Sequence, residues 1–156
     1  MAINIVLVEP EIPQNTGNII RTCVVTGANL HLIRPLGFSL NEKSLKRAGM
    51  DYVDMADIKI YDCLDEFFQI NKGCSFYLAT TKADKNHSDV DFKDGDFILF
   101  GKESKGLDED LIFQNMDKSF RVPMKNLEYA RSLNLSNTVA IVTYEALRQI
   151  GYSDLR

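Results

Sequence analysis

The stretch that decides the fold is INIVLVEPEIPQNTGNIIRTC, Ile3 to Cys23. Ile3 to Val8 is a short apolar run rich in β-branched residues and stopped by Glu9-Pro10. It reads as a buried strand. Pro10 and Pro13 enforce a loop. From Asn15 the period changes: Ile19, Ile20, Cys23 and Val24 recur at helical spacing, and Gly27 is the predicted stop. A strand, a strand-end loop and a helix make the first unit of an α/β fold.

The rest of the chain repeats that unit. Leu30 to Arg34 reads as a second strand, ended by Pro35, and Glu42 to Ala48 as a short charged helix closed by Gly49. Ile58 to Tyr61 and Phe76 to Thr80 read as strands on either side of a helix over Leu64 to Ile70. Lys82 to Asp96 is polar, with five Asp, and is expected to be a surface loop. Phe97 to Phe100 is wholly apolar, so a strand buried on both faces. Leu107 to Asn115 reads as a short helix, and Phe120 to Val122 as a last strand ended by Pro123. A loop to about Leu133 precedes a closing helix to about Ile150, with Val139, Val142, Ala146 and Ile150 on one stripe. The alternation predicts an α/β domain, a mostly parallel sheet flanked by helices, with residues 1–156 as one domain. Ligands in such sheets sit beyond the carboxyl ends of the strands. That directs attention to Glu9–Gly17, Gly101–Gly106 and Pro123–Asn134.

Composition narrows the function classes. With 18 Lys and Arg against 22 Asp and Glu, the net charge is −4. A nucleic-acid partner would therefore be held by a local basic surface and not by a global field. No apolar run approaches the roughly 20 residues that a membrane span needs, and no leader is expected at Met1 to Pro10. Cys23, Cys63 and Cys74 lack CxxC spacing and read as reduced thiols of a cytoplasmic protein. His31 and His87 are too far apart in sequence to suggest a metal site.

Common catalytic signatures are missing. No GxGxxG follows the first strand, and no GxSxG is present. Gly95 to Lys102 imitates a phosphate-binding loop, but five residues separate its glycines and Glu103 follows the lysine. Asn86-His87-Ser88 and Asn134-Leu135-Ser136 match the glycosylation pattern by chance. Three polar clusters remain, at the three strand ends. Asn15 or Thr16 serves equally as a helix cap, Gly101 to Gly106 as a plain turn, and the Ser/Asn run after Arg131 as further caps. Four small polar residues in that last run exceed what capping needs.

The clusters NIVLVEPEIPQNTGNIIRTC, FGKESKGL, RSLNLSN and TYEALRQIGY, in this order and spacing, resemble the signature motifs of the SPOUT methyltransferases, in their tRNA 2′-O-methyltransferase branch. Lys102 and Lys105 depart from the pattern, standing where Pro and Arg are expected. The resemblance implies a C-terminal trefoil knot, a rare exception among folds. It implies S-adenosylmethionine as cofactor, held at Ala79, Gly101, Val122, Ser132 and Leu133. It implies methyl transfer to the 2′-hydroxyl of the wobble nucleotide, cytidine or uridine 34, of tRNA, with leucine tRNAs foremost. No metal is implied. The alternatives are another tRNA position, ribosomal RNA, or an RNA-binding module without catalysis.

By the same resemblance Arg21 is the central catalytic residue, acting with a phosphate of the RNA. Its high pKa makes it an electrostatic and orienting group rather than a base. Asn15 is expected to orient the ribose or Arg21, on the view that a separation of six residues lets both reach the same side. Ser132 and Asn134 hold the loop and the substrate hydroxyl. Glu103 either accepts the proton, as the substrate phosphate or a water also can, or fixes its loop through backbone hydrogen bonds. RNA-binding candidates are Arg131, Tyr144 and the run Lys43, Lys46, Arg47 at i, i+3, i+4, with Arg34 and Arg121 beside them. A homodimer is implied, and the Val139/Val142/Ala146 stripe serves either its interface or the core.

Overall fold

The computed structural model describes residues 2–41, 43, 45, 47 and 50–156. Six strands form one sheet: β1 (Asn4–Val8), β2 (Asn29–Ile33), β3 (Ile58–Tyr61), β4 (Phe76–Ala79), β5 (Phe97–Phe100) and β6 (Ser119–Phe120). The order is β3-β2-β1-β5-β4-β6 and every pairing is parallel. The helices with every residue described are α1 (Pro13–Thr26), α2 (Leu64–Ile70), α3 (Glu109–Gln114) and α4 (Leu135–Gln149). The expected α/β architecture is what the chain adopts. Gly27 ends α1 at φ 73°, as its position predicts.

Alternation along the strands builds two cores. Ile5, Leu7, Leu30, Leu32, Ile98 and Phe100 face one side of the sheet, where Ile19, Ile20 and Cys23 of α1 and Val139, Val142 and Ala146 of α4 cover them. The stripe on α4 therefore belongs to the core. Val6, Ile33, Leu78 and Leu99 face the other side, under Phe67 of α2 and Ile112 of α3. β1 and β5, buried on both faces, lie at the centre, as near-continuous apolar runs should.

One expectation needs refinement. Residues 82–96 run over the surface, as expected, but are firmly anchored. They hold a 3₁₀ turn at His87–Asp89 with an Asn86/Asp89 capping box, and they bury Ala83, Val90 and Phe92. The Phe92 ring packs edge-on against Tyr77 and Phe120, and its N–H donates to the side chain of Gln149. Asn86 bridges to Arg121, so this segment also covers the outer edge of β6. Of the predicted charged helix, Lys43, Leu45 and Arg47 have helical backbone; Glu42, Ser44, Lys46, Ala48 and Gly49 lie outside the described residues. All three cysteines are free thiols, and burial pushes that of Cys23 up to about 12. Among the described residues no helix is long and apolar enough to cross a membrane.

β2 carries a polar residue in the second core. His31 is 2% exposed, with Nδ1 at 2.9 Å from the Tyr61 hydroxyl and Nε2 at 3.3 Å from Asn4 Oδ1. Asn29 and Asn71 donate to the same two oxygens. Burial first, then the nearby Lys59, lowers the His31 pKa from 6.5 to about 4. The folded protein thus keeps His31 neutral while the unfolded chain takes a proton below about 6.5. Stability from this residue is complete above that pH and is lost as the pH falls toward about 4. Between pH 7 and pH 5 the loss is about 2 kcal/mol for a shift of this size. Urea unfolding at the two pH values measures it, and His31→Gln is expected to flatten the slope. An unchanged slope in that variant would assign the pH dependence to other groups.

Candidate active site

The carboxyl ends of β1, β5 and β6 lead into the three loops singled out by the sequence. Strand order reverses between β1 and β5, where the chain, having run outward to β3, returns on the far side. Open α/β sheets bind ligands at such a point.

Glu103 joins the first two loops. The backbone of Ile12 opens α1 without any side-chain cap of its own. The carboxylate of Glu103, 91 residues later, supplies one: it accepts from Glu11 N at 2.8 Å and Ile12 N at 3.1 Å. Asn15 Nδ2 donates to it as well, at 3.3 Å. A negative group beside this helix start also meets the positive end of the helix dipole. The contact is reciprocated. Glu11 accepts from Ser104 N at 3.0 Å and Ser104 Oγ at 2.6 Å. Those bonds, the side-chain one foremost, hold the Glu11 carboxyl below the usual carboxylate range. Behind them Lys102 Nζ pairs with Glu9 at 3.0 Å.

The loop itself folds tightly. Gly106 N donates to Lys102 O at 2.8 Å, and Gly106 sits at φ 71°. A Cβ on Gly101 would lie 2.0 Å from the Gly106 carbonyl carbon. Gly101 therefore has no room for a side chain, whereas one at Gly106 would meet nothing but be strained by the left-handed backbone.

Asn134 brings in the third loop. Its Nδ2 donates to Asn15 Oδ1 at 3.0 Å. Its Oδ1 accepts from Ser136 N at 2.9 Å, Ser136 Oγ at 2.6 Å and Asn137 N at 3.3 Å, capping α4. A hydrogen-bond chain thus runs from the start of α4 through Asn134 and Asn15 to Glu103, with each amide donating toward the carboxylate.

These loops enclose a cleft of about 480 Å³, within the range of small-molecule sites. The five expected cofactor positions, Ala79, Gly101, Val122, Ser132 and Leu133, all line it, as do Asn15, Glu103 and Asn134. Among the expected RNA contacts Arg131 and Arg121 also line it. Lys82, Lys102 and Lys105 add to its cationic rim, with Lys82 tied to Glu109. Apolar patches, loop backbone and cationic side chains at the rim fit a nucleoside bearing a carboxylate. The notable omission from the sequence reading is Glu11; its only signal is a carboxylate between two prolines in a strand-end loop.

Other expected residues lie elsewhere. Arg21 is exposed on α1, with its guanidinium 5.3 Å from the centre of the Tyr52 ring, and it does not line the cleft. Six helical residues leave two side chains about 120° apart around the axis, so the shared side expected for Asn15 and Arg21 is not found. Tyr144 lies on the outer face of α4, 47% exposed. Lys43 and Arg47 are exposed and outside the cleft lining. Lys46 is outside the described residues. Arg34 pairs with Asp62 on the surface.

Comparison with known proteins gives consistent results. Residues 2–144 match the SpoU rRNA methylase family. A Bacillus subtilis protein is 50% identical over 159 residues, covering 100% of this chain and 98% of its own. The tRNA (cytidine(34)-2′-O)-methyltransferase of Photorhabdus asymbiotica is 46% identical over 157 residues, 97% of this chain and 96% of its own. A solved structure described as giving structural insights into the 2-OH methylation of C/U34 on tRNA superposes with a TM-score of 0.89 at 39% identity, covering 96% of each chain. The AdoMet-bound rRNA methyltransferase of Sinorhizobium meliloti shares the fold, with a TM-score of 0.84 at 24% identity over 96% of this chain and 57% of its own.

The Glu103 contacts make a direct prediction. Glu103→Gln leaves one acceptor oxygen for three donors and turns an amide N–H₂ toward the start of α1. A lost charge-assisted hydrogen bond of this kind costs about 2 kcal/mol. The expected results are a lower urea midpoint and faster hydrogen exchange at the Glu11 and Ile12 amides. Native exchange at both amides would show that the carboxylate does not hold this loop.

Proposed function

The chain belongs to the SpoU rRNA methylase family, and from that premise we propose that it is a tRNA (cytidine/uridine-34-2′-O)-methyltransferase that uses S-adenosylmethionine. The observation that carries this reading is the convergence of Ala79, Gly101, Val122, Ser132, Leu133, Asn15, Glu103 and Asn134 on one cleft. Relatives of nearly equal length that carry this activity in their names support it. Leucine tRNAs are the proposed first substrates, as the resemblance implies. The proposal includes one domain over residues 1–156, the trefoil knot, a cytoplasmic location and a reaction without metal.

When bound, S-adenosylmethionine supplies a methyl carbon activated by its sulfonium. The protein must then align the ribose hydroxyl, favour its alkoxide character and receive its proton. Gly101, Val122 and Leu133 offer backbone and apolar walls to the cofactor. Arg131 and Lys105 face RNA phosphate or cofactor carboxylate at the rim. Both Glu103 oxygens accept N–H bonds from the first loop, which favours its role as the clasp between loops. The substrate phosphate, or a water beside it, then takes the proton.

Arg21 completes this chemistry only if a second copy brings it to the cleft. α1 and α4 pack against each other, and their exposed faces carry Val25, Ile141 and Tyr144, 51%, 40% and 47% exposed. Burying these apolar side chains against their equivalents supports a homodimer with Arg21 donated across the interface.

Three measurements test the proposal. Mass spectrometry of tRNA incubated with the protein and S-adenosylmethionine is expected to show one added methyl, on the ribose of nucleotide 34. A mark elsewhere in tRNA or in ribosomal RNA would redirect the assignment. Arg21→Ala is expected to lower turnover about 10²–10³-fold, the loss typical of one preorganised electrostatic donor. Arg21→Lys should restore little, because it lacks the planar fork. A loss confined to KM would make Arg21 an RNA anchor instead. Mixing Arg21→Ala with Asn134→Ala chains should recover activity, because one mixed site is then intact; no recovery would place Arg21 in its own chain's site.

A further inference from the structure

The third loop contains a feature that the chemistry above leaves unused. Between Met124 and Arg131, both in the cleft wall, the chain leaves the wall and returns. Leu127 and Ala130 form an isolated antiparallel bridge, with Ala130 N donating to Leu127 O at 3.1 Å. The bridge closes a tight turn with Glu128 and Tyr129 at its tip. Tyr129 is 84% exposed, the highest exposure among the large apolar and aromatic side chains described, and Leu127 is 40% exposed. Among the described residues the Tyr129 ring has no hydrogen bond or ring contact. The core gains nothing from it.

The surroundings indicate what would cover this ring. Lys125 and Arg131, both exposed, flank the turn, while Glu128 stands beside the ring at its tip. Two cations at the base suit a phosphate backbone running past the turn. The carboxylate at the tip opposes a phosphate there and leaves the flat face of the ring to an uncharged group. Single-stranded RNA offers that pattern: charged phosphates on one side and unstacked bases, which pack on aromatic faces, on the other. Resting on the proposed tRNA reading, we infer that Tyr129 is a stacking platform for a nucleobase next to the target ribose, with Leu127 supporting it and Lys125 and Arg131 gripping the adjoining phosphates. Tyr129 thus contributes to substrate choice, holding an anticodon-loop base in its unstacked form, and takes no part in methyl transfer.

The chain contains no tryptophan, so Tyr129→Trp places the only indole of the protein at this tip. Titration of that variant with an anticodon stem-loop RNA is expected to quench its fluorescence saturably, whereas S-adenosylmethionine alone should leave it unchanged. In steady-state methylation of the same RNA, Tyr129→Ala is expected to raise KM about tenfold, the usual scale for one lost base–aromatic stack. Its kcat and its calorimetric affinity for the cofactor should stay at wild-type values. Tyr129→Phe and Tyr129→Trp should restore KM, while Tyr129→Leu should not. A wild-type KM in Tyr129→Ala, or quenching by the cofactor alone, would overturn the inference. Equal KM losses in the Phe and Ala variants would overturn stacking as well, since they would assign the contact to the hydroxyl. If the wild-type protein methylates no tRNA, the functional reading fails first; if it does and the Tyr129 variants match it, only this inference fails.

Discussion

A single carboxylate, that of Glu103, fixes the geometry on which the cleft depends. Its oxygens receive the backbone N–H groups of Glu11 and Ile12 just before the 14-residue helix α1. Ile12 brings no capping side chain and Pro13 no N–H, so a partner must come from outside the helix. Taking it from the loop after β5 locks two strand ends together. Glu11 answers from the opposite side by accepting from Ser104, so neither loop can move without breaking bonds made by the other. Asn15 then extends the contact to Asn134 and the start of α4.

The sheet makes this possible. β1 and β5 are adjacent at its centre, and their register, Leu7 opposite Phe100, brings the ends of both strands to the same level. Each is buried on both faces, so the first two loops spring from the best-buried strands of the sheet. Precise placement of polar groups requires such support. The loops contribute side chains and the central strands contribute stiffness. By contrast the turn at Leu127–Ala130 stands clear of the core, which suits a contact that must adapt to a large polymer.

Much of the fold was legible in the sequence. Short apolar-rich runs and their breakers located all six strands, although the last lies at Ser119–Phe120 and not at the expected Phe120–Val122, and Ile58–Tyr61 and Leu64–Ile70 end where the pattern says. The anchoring of the surface segment 82–96 was not legible, because its charge conceals two deep anchors, Val90 and Phe92, that respond to tertiary partners rather than to local period. The cleft walls followed from strand-end logic and family resemblance. The reciprocal role of Glu11 did not, since a contact across 93 residues leaves no local signal. The displaced position of Arg21 has a simpler cause: a separation of six residues in a helix points two side chains in different directions.

The central claim is that the three loops act as one unit through Asn15 and Asn134. A double-mutant cycle read by calorimetric titration with S-adenosylmethionine tests it directly, using Asn15→Ala, Asn134→Ala and the double variant. Residues in one hydrogen-bond network couple by about 0.5–3 kcal/mol. The account predicts that the second substitution costs little once the first is made, with a coupling of about 1 kcal/mol in cofactor affinity. Additive losses, each substitution costing the same alone or combined, would contradict it.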